Sequence, residues 1–188
     1  MFSYCLNKPV VMADYDGFDA IYIVDYSTES GLPVVGHAIL FIQDSDGVWY
    51  KTEYTGENFD KSTAVLVFEE ADMDAINKMI AGEEIDNIEY TYIAGDFSSS
   101  VTYARNLQGS NYGGYSLLSN NCLHYARDVL YKGTMENISA PLLKLYGKTN
   151  IPAGFQSSLQ FAKKMNYVVQ SIVNCVTKKQ KKTKGVRL

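Results

Sequence analysis

The sequence predicts an α+β domain in which antiparallel strands pack against helices, and three observations carry that prediction. Apolar, β-branched runs separated by turn residues recur through the first half. The clearest is Val34-Val-Gly-His-Ala-Ile-Leu-Phe-Ile-Gln43, a turn at Asp44–Gly47, and the return Val48-Trp-Tyr-Lys-Thr-Glu-Tyr54. Segments of helical period, with their own caps, are interspersed among the strands and continue toward the C-terminus. The 188 residues, 46% of them hydrophobic, suffice for one domain with a sizeable core and argue against disorder.

Taken in order, residues 1–17 carry no clear period. Phe18–Tyr26 is rich in aromatic and β-branched residues and predicts a strand, followed by a polar loop over 27–33. Val34–Gln43 is almost uninterruptedly apolar, which predicts a central strand covered on both faces. After the hairpin, 55–62 is loop and Thr63–Phe68 a further buried strand. Asp72 caps a helix over Met73–Ala81, stopped by Gly82, and Ile88–Ile93 alternates as a strand. Asp96 and Ser98–Ser100 offer caps for a short helix through Leu107. A glycine-rich loop, Gly109–Gly114, then leads into Tyr115.

Next comes a polar pair, Asn120 and Asn121, directly before Cys122. Leu123, Ala126, Val129 and Leu130 form one stripe at helical spacing, so an asparagine N-cap places Cys122 in the first turn of a helix. Beyond Gly133 the chain reads as loop, broken by Pro141 and Pro152, until Ser157 or Ser158 caps a long amphipathic helix over 157–177. Its apolar face carries Ala162, Met165, Val169, Ile172 and Val176. One domain thus spans 1–177, and 178–188 is expected to be a basic, disordered tail.

The net charge of −4 hides an asymmetry. Residues 178–188 hold six Lys/Arg and no acid, whereas 1–177 carry 11 Lys/Arg against 21 Asp/Glu. So acidic a body does not look like a nucleic-acid binder, and no nucleic-acid partner is expected. The tail reads as a solvated end, as a weak contact with anionic lipid, or as a contact with the acidic body of a second copy. Three scattered cysteines, Cys5, Cys122 and Cys175, make no disulfide framework and no zinc pair, so reduced thiols and no metal are expected. No apolar run spans a bilayer and the N-terminus lacks the pattern of a secretory signal. The expected location is the cytoplasm, or outside the cell by a non-classical route.

Chemistry is suggested by Cys122 and His37. A helix N-terminus offers unpaired N–H groups and the positive end of the dipole, which favour a thiolate. A thiol nucleophile also needs an imidazole to take its proton and later protonate the leaving group. His37 lies inside an apolar strand, where a histidine is costly without partners. The preceding Gly36 allows close approach of another backbone or a substrate. His124, two residues after Cys122, points to a different helix face and is badly placed as the base.

Gly36-His-Ala-Ile-Leu-Phe-Ile42, a turn, and Gly47-Val-Trp-Tyr50 resemble the histidine hairpin of permuted papain-like hydrolases of the NlpC superfamily. Tyr115-x-x-Leu-x-Asn-Asn-Cys-x-x-Tyr-Ala-x-x-Val-Leu130 resembles their cysteine helix, and the histidine strand precedes the cysteine helix in permuted members as here. Asn121-Cys-Leu-His-Tyr125 is also similar to the Asn-Cys-Glu-His-Phe signature of the lecithin:retinol acyltransferase branch, with Leu123 and Tyr125 replacing the usual residues. The second histidine often found on that branch's returning strand is absent. The resemblance covers about residues 18–132.

It implies a papain-like fold, with Cys122 as nucleophile, His37 as general base and acyl transfer through a thioester, without a cofactor. The residue that orients the imidazole would come from the returning strand. Glu53 is the choice there because a carboxylate fixes the tautomer and stabilises imidazolium, and a one-residue register slip would substitute Thr52 or Tyr54. The backbone N–H of Cys122 is the economical oxyanion donor. Tyr115, Asn120 and Asn121 stand near it, with packing and capping as their plainer roles.

Three functions compete. The first is a cysteine amidase or endopeptidase acting on peptidoglycan stem peptides, as an effector or toxin with an inhibitor or immunity protein as partner. The second is a phospholipid-directed thiol acyltransferase or lipase. The third is a non-catalytic binding domain, which expects Cys122 to be buried and inert.

Overall fold

The computed structural model describes residues 19–27, 36–55, 64–82, 87–110, 112–116, 120–136 and 138–184. The expectations for 1–17, for most of loops 27–33 and 55–62, and for residues past 184 lie outside this set. Five strands form one antiparallel sheet: β1 (Ala20–Asp25), β2 (His37–Gln43), β3 (Trp49–Thr55), β4 (Val65–Ala71) and β5 (Ile88–Ile93), in the order β4-β3-β2-β1-β5. The near-continuous apolar run is therefore the middle strand, and Ala38 through Gln43 are all buried. The fold is α+β.

Period-2 alternation divides the side chains of the sheet between two cores. Tyr22, Val24, Ala38, Leu40, Ile42, Tyr54 and Leu66 face one side. There they meet α2 (Ser98–Leu107), α3 (Cys122–Leu130) and the start of α5 (Pro152–Lys184) through Val101, Ala126, Val129, Phe155 and Leu159. Ile21, Ile23, Ile39, Phe41 and Trp49 face the other side, under Ile76, Met79 and Ile80 of α1 (Met73–Ala81). Each such aliphatic or aromatic side chain contributes roughly 1.5–3 kcal/mol on burial. The α1 boundaries match the capping residues: Asp72 accepts from the Ala75 N–H at 2.7 Å, and Gly82 ends the helix in the left-handed region at φ +75°.

The C-terminal third departs from the sequence expectation. Pro141 and Pro152 do not break loops; they begin helices, because a proline in the first turn lacks only an N–H that has no helical partner there. Pro141 stands in the first turn of α4 (Ala140–Tyr146), and Pro152 opens α5 five residues before the expected start. A two-residue ladder pairs β6 (Gly95–Asp96) with β7 (Thr134–Met135), where loop was expected. At its far end α5 continues through the lysine-rich segment to Lys184, since lysine and glutamine are good helix formers and no glycine interrupts before Gly185. The helical backbone thus runs into what was expected to be a disordered tail.

The expected apolar face of α5 is also only partly the docked one. Phe155, Leu159 and Ala162 are buried, with the Phe155 ring edge-on to Tyr22, whereas Val169 is half exposed. Helix α2 begins without a side-chain cap bond; Asp96 instead accepts from the Ser98 N–H at 3.0 Å, just ahead of it.

Candidate active site at the start of the central strand

The sheet and α3 meet where β2 begins. Gly36 enters the strand at φ +73°, and a Cβ there would lie 2.3 Å from Val24 Cγ1 and 3.3 Å from the Asp25 carbonyl oxygen. Its small size thus accommodates the neighbouring strand β1. Only glycine fits both the conformation and the space, and it sets the direction in which His37 leaves the backbone.

On the returning strand, Ile39 stands opposite Glu53, so Glu53 is one step diagonal from His37 on the same sheet face. Glu53 Oε2 lies 2.7 Å from His37 Nε2, and its Oε1 accepts from Lys51 Nζ at 2.8 Å. Thr52 and Tyr54 project to the opposite face. Thr52 Oγ1 shares a 2.5 Å hydrogen bond with the Tyr125 hydroxyl and donates to the Val67 carbonyl at 2.8 Å. Tyr54 is fully buried among Tyr112, Tyr115 and Tyr125. Of the three candidates on β3, Glu53 is the one that meets His37.

Cys122 reaches the same point from α3, where it is the first helical residue. Asn121 is the N-cap: its side-chain oxygen accepts from the His124 N–H at 3.2 Å, and its Nδ2 donates to the Asn150 carbonyl at 3.0 Å. His124 closes the capping box by presenting Nδ1 to the Asn121 backbone N–H at 3.5 Å. The same Nδ1 lies 2.8 Å from the Asn121 side-chain oxygen, and burial, then Arg127, hold the His124 imidazole below its usual range. Asn120 donates to the Gly114 and Tyr112 carbonyls and pairs its backbone with Ser116. Both asparagines therefore build the helix entrance.

The Cys122 thiol has a polar neighbourhood. Sγ accepts from the Ala38 N–H at 3.4 Å, and the His37 side chain, engaged by Glu53 through Nε2, is its other polar neighbour. Cys122 is only 4% exposed, as a non-catalytic domain also expects. Burial alone raises a thiol's pKa. Here His37 and the Ala38 and Leu123 N–H groups outweigh burial and bring it below the usual thiol range. On the imidazole, burial opposes the charge, but Cys122 and Glu53 lift it to about 10. The Glu53 carboxyl, in spite of burial, is pulled down to about 2 by His37 and then Lys51. These shifts favour a thiolate, an imidazolium and a carboxylate in a row.

Two residues beyond the sequence reading join the site or change role. Lys51 holds the second oxygen of Glu53; the signal was its position two residues before Glu53 on the same face of an alternating strand. Tyr115, expected to pack, stands beside Cys122, where burial and then the thiol push its phenol above the usual range. Comparison with family models, with curated proteins and with solved structures finds no match.

Proposed function

We propose that the chain is a cysteine hydrolase, an amidase or endopeptidase of the permuted papain-like type, with Cys122 as nucleophile, His37 as acid–base and Glu53 as the residue that orients the imidazole. The supporting observation is the His37 ring held between Glu53 Oε2 at 2.7 Å and a thiol at a helix N-terminus. A packed, inert cysteine has no need of an imidazole and two N–H groups directed at its sulfur.

In this reading the thiolate attacks the carbonyl carbon of an amide and the electron pair moves to oxygen. The Cys122 backbone N–H receives that oxyanion. The Tyr115 hydroxyl, beside Cys122, supplies a second donor. The imidazolium of His37 gives its proton to the departing amine as the C–N bond breaks, leaving a thioester. His37 then takes a proton from water, whose oxygen displaces the sulfur, and a carboxylic acid and the thiol are released. Glu53 keeps its negative charge throughout and holds the ring.

The resemblance to NlpC-type hydrolases supports peptidoglycan stem peptides as the substrate. Hydrolysis of purified stem peptides, read by mass spectrometry, is expected from the chain and not from Cys122→Ala. Iodoacetamide alkylation of Cys122 no faster than that of a free thiol, between about pH 5 and 8, would overturn the reading in favour of a non-catalytic domain.

A further inference from the structure

Helix α5 has two apolar faces. Phe155, Leu159 and Ala162 are buried against the sheet at i, i+4 and i+7. Among the described residues, the last hydrogen bonds tying α5 to the body are Lys163 Nζ to the Tyr92 carbonyl at 2.9 Å and Asn166 Nδ2 to the Glu136 carbonyl at 3.2 Å. A second stripe begins before the first ends: Phe161, Met165 and Val168, again at i, i+4 and i+7, flanked by Val169. Phe161 is 44%, Val168 41% and Val169 50% exposed. The same period continues the stripe at positions 172 and 176. Because each residue of an α-helix advances about 100°, the second stripe lies about a quarter turn from the docked face. It is a separate surface and not an overhang of the core.

Charge defines what this surface meets. Every one of the 21 acidic residues precedes position 137, and ten of the 17 Lys/Arg follow it. On α5, Lys164 lies beside the apolar stripe, and five lysines follow it in sequence between positions 178 and 184. Two such helices side by side would juxtapose like charges with no carboxylate between them. The exposed large apolar residues described on the body, Val65, Tyr131 and Ile151, are scattered, so a second copy offers no described counterpart to the stripe. An apolar stripe with a lysine beside it and a lysine-rich segment after it matches an anionic bilayer interface, with aliphatic groups at the acyl boundary and ammonium groups at the phosphates. Among the described residues no helix is long and apolar enough to cross a membrane, so the fit is to lie on the surface.

We infer that α5 from Met165 onward docks the protein on an anionic phospholipid surface. Co-sedimentation of the full chain with phosphatidylserine–phosphatidylcholine vesicles tests it. Binding is expected to exceed that to phosphatidylcholine alone and to weaken with salt. It should fall about tenfold or more in Val168→Glu and in the double variant Lys178→Glu/Lys182→Glu. Both variants lie away from Cys122 and His37, so their circular dichroism and Cys122 alkylation should match the parent. Absence of phosphatidylserine-dependent binding overturns the inference, as does a Val168→Glu variant that binds like the parent. A dimer in sedimentation that Val168→Glu dissociates, without vesicle binding, assigns the stripe to a second copy instead.

Discussion

Glu53 meets His37 on a diagonal: it stands opposite Ile39 in the β2–β3 ladder, yet its Oε2 reaches His37 Nε2 at 2.7 Å while Oε1 holds Lys51. The imidazole thereby has its tautomer and its charge set from one side and its thiol partner presented from the other. A glutamate suits the diagonal because it has one more methylene than aspartate with which to span the offset. Testable consequences follow from how each of these residues is held.

The alkylation of Cys122 should show an ion pair. A free thiol becomes reactive only as pH approaches about 8.5. With the Cys122 thiol below its usual range and the imidazole lifted to about 10, the reactive pair should form at lower pH than a free thiolate does and persist up to about 10. In His37→Ala the thiol loses the first of the influences that lower it, and burial remains. The alkylation rate at neutral pH should drop at least tenfold and its midpoint move to alkaline pH. An unchanged profile in His37→Ala would mean that the imidazole does not tune the sulfur.

Glu53→Gln separates orientation from charge. The amide can still hydrogen-bond His37, but the carboxylate that favours imidazolium is gone. The alkaline limb of Cys122 alkylation should therefore move to lower pH than in the parent. Under the proposed function, hydrolysis should fall by about 10²-fold or more, mainly in kcat. Lys51→Met should act on the same carboxylate from the other oxygen. Without the ammonium, the Glu53 carboxyl rises from about 2 toward the ordinary carboxylate range. Its folded-state pKa is depressed, so its contribution to stability is present above the unfolded value of about 4.3 and is lost as pH falls through the folded value. Thermal melts between about pH 2 and 5 should show Lys51→Met losing stability at higher pH than the parent, with Lys51→Arg restoring the profile.

The hairpin, α1 with both its caps and the start of α3 were legible because each is encoded locally: alternation around Asp44–Gly47, Asp72 and Gly82 at the helix ends, Asn121 ahead of Cys122. The pairing of Glu53 with His37 was legible only as one of three choices. A one-residue slip sends every β3 side chain to the other face, and the register depends on the turn geometry. The start of α5 was missed because Pro152 breaks a helix interior but begins one equally well, and which applies depends on what precedes it in space. The second partner of Glu53 and the contact of Tyr115 with Cys122 involve side-chain reach, which strand and helix periods do not specify.

The buried pair Thr52–Tyr125 should stabilise the same framework without touching the chemistry. The two hydroxyls share one 2.5 Å hydrogen bond between the middle of β3 and α3. Thr52→Val keeps the shape of the side chain but leaves the Tyr125 hydroxyl without that partner, at a cost of about 1–3 kcal/mol. Tyr125→Phe removes the hydroxyl itself, and Thr52 Oγ1 still donates to the Val67 carbonyl, so its cost should be smaller. The double variant should cost less than the sum of the two singles, which denaturant unfolding would measure. Cys122 alkylation should stay at the parent rate in all three.

Gly36 gives the sharpest test of how the fold positions His37. An alanine there would bring its Cβ within 2.3 Å of Val24 Cγ1 while holding φ at +73°, a conformation that L side chains rarely adopt. Val24 is itself fully buried in β1, so its methyl has little room to retreat and the strain passes to the backbone of β2. Gly36→Ala should lower stability by about 2 kcal/mol or more by overpacking and backbone strain. Because His37 is the next residue, the same displacement should lengthen its contact with Cys122. Alkylation at neutral pH should then slow even in conditions where the variant is fully folded by circular dichroism. If the variant is destabilised but keeps the parent's alkylation profile, Gly36 serves packing against β1 alone, and His37 is placed by Glu53 rather than by the strand.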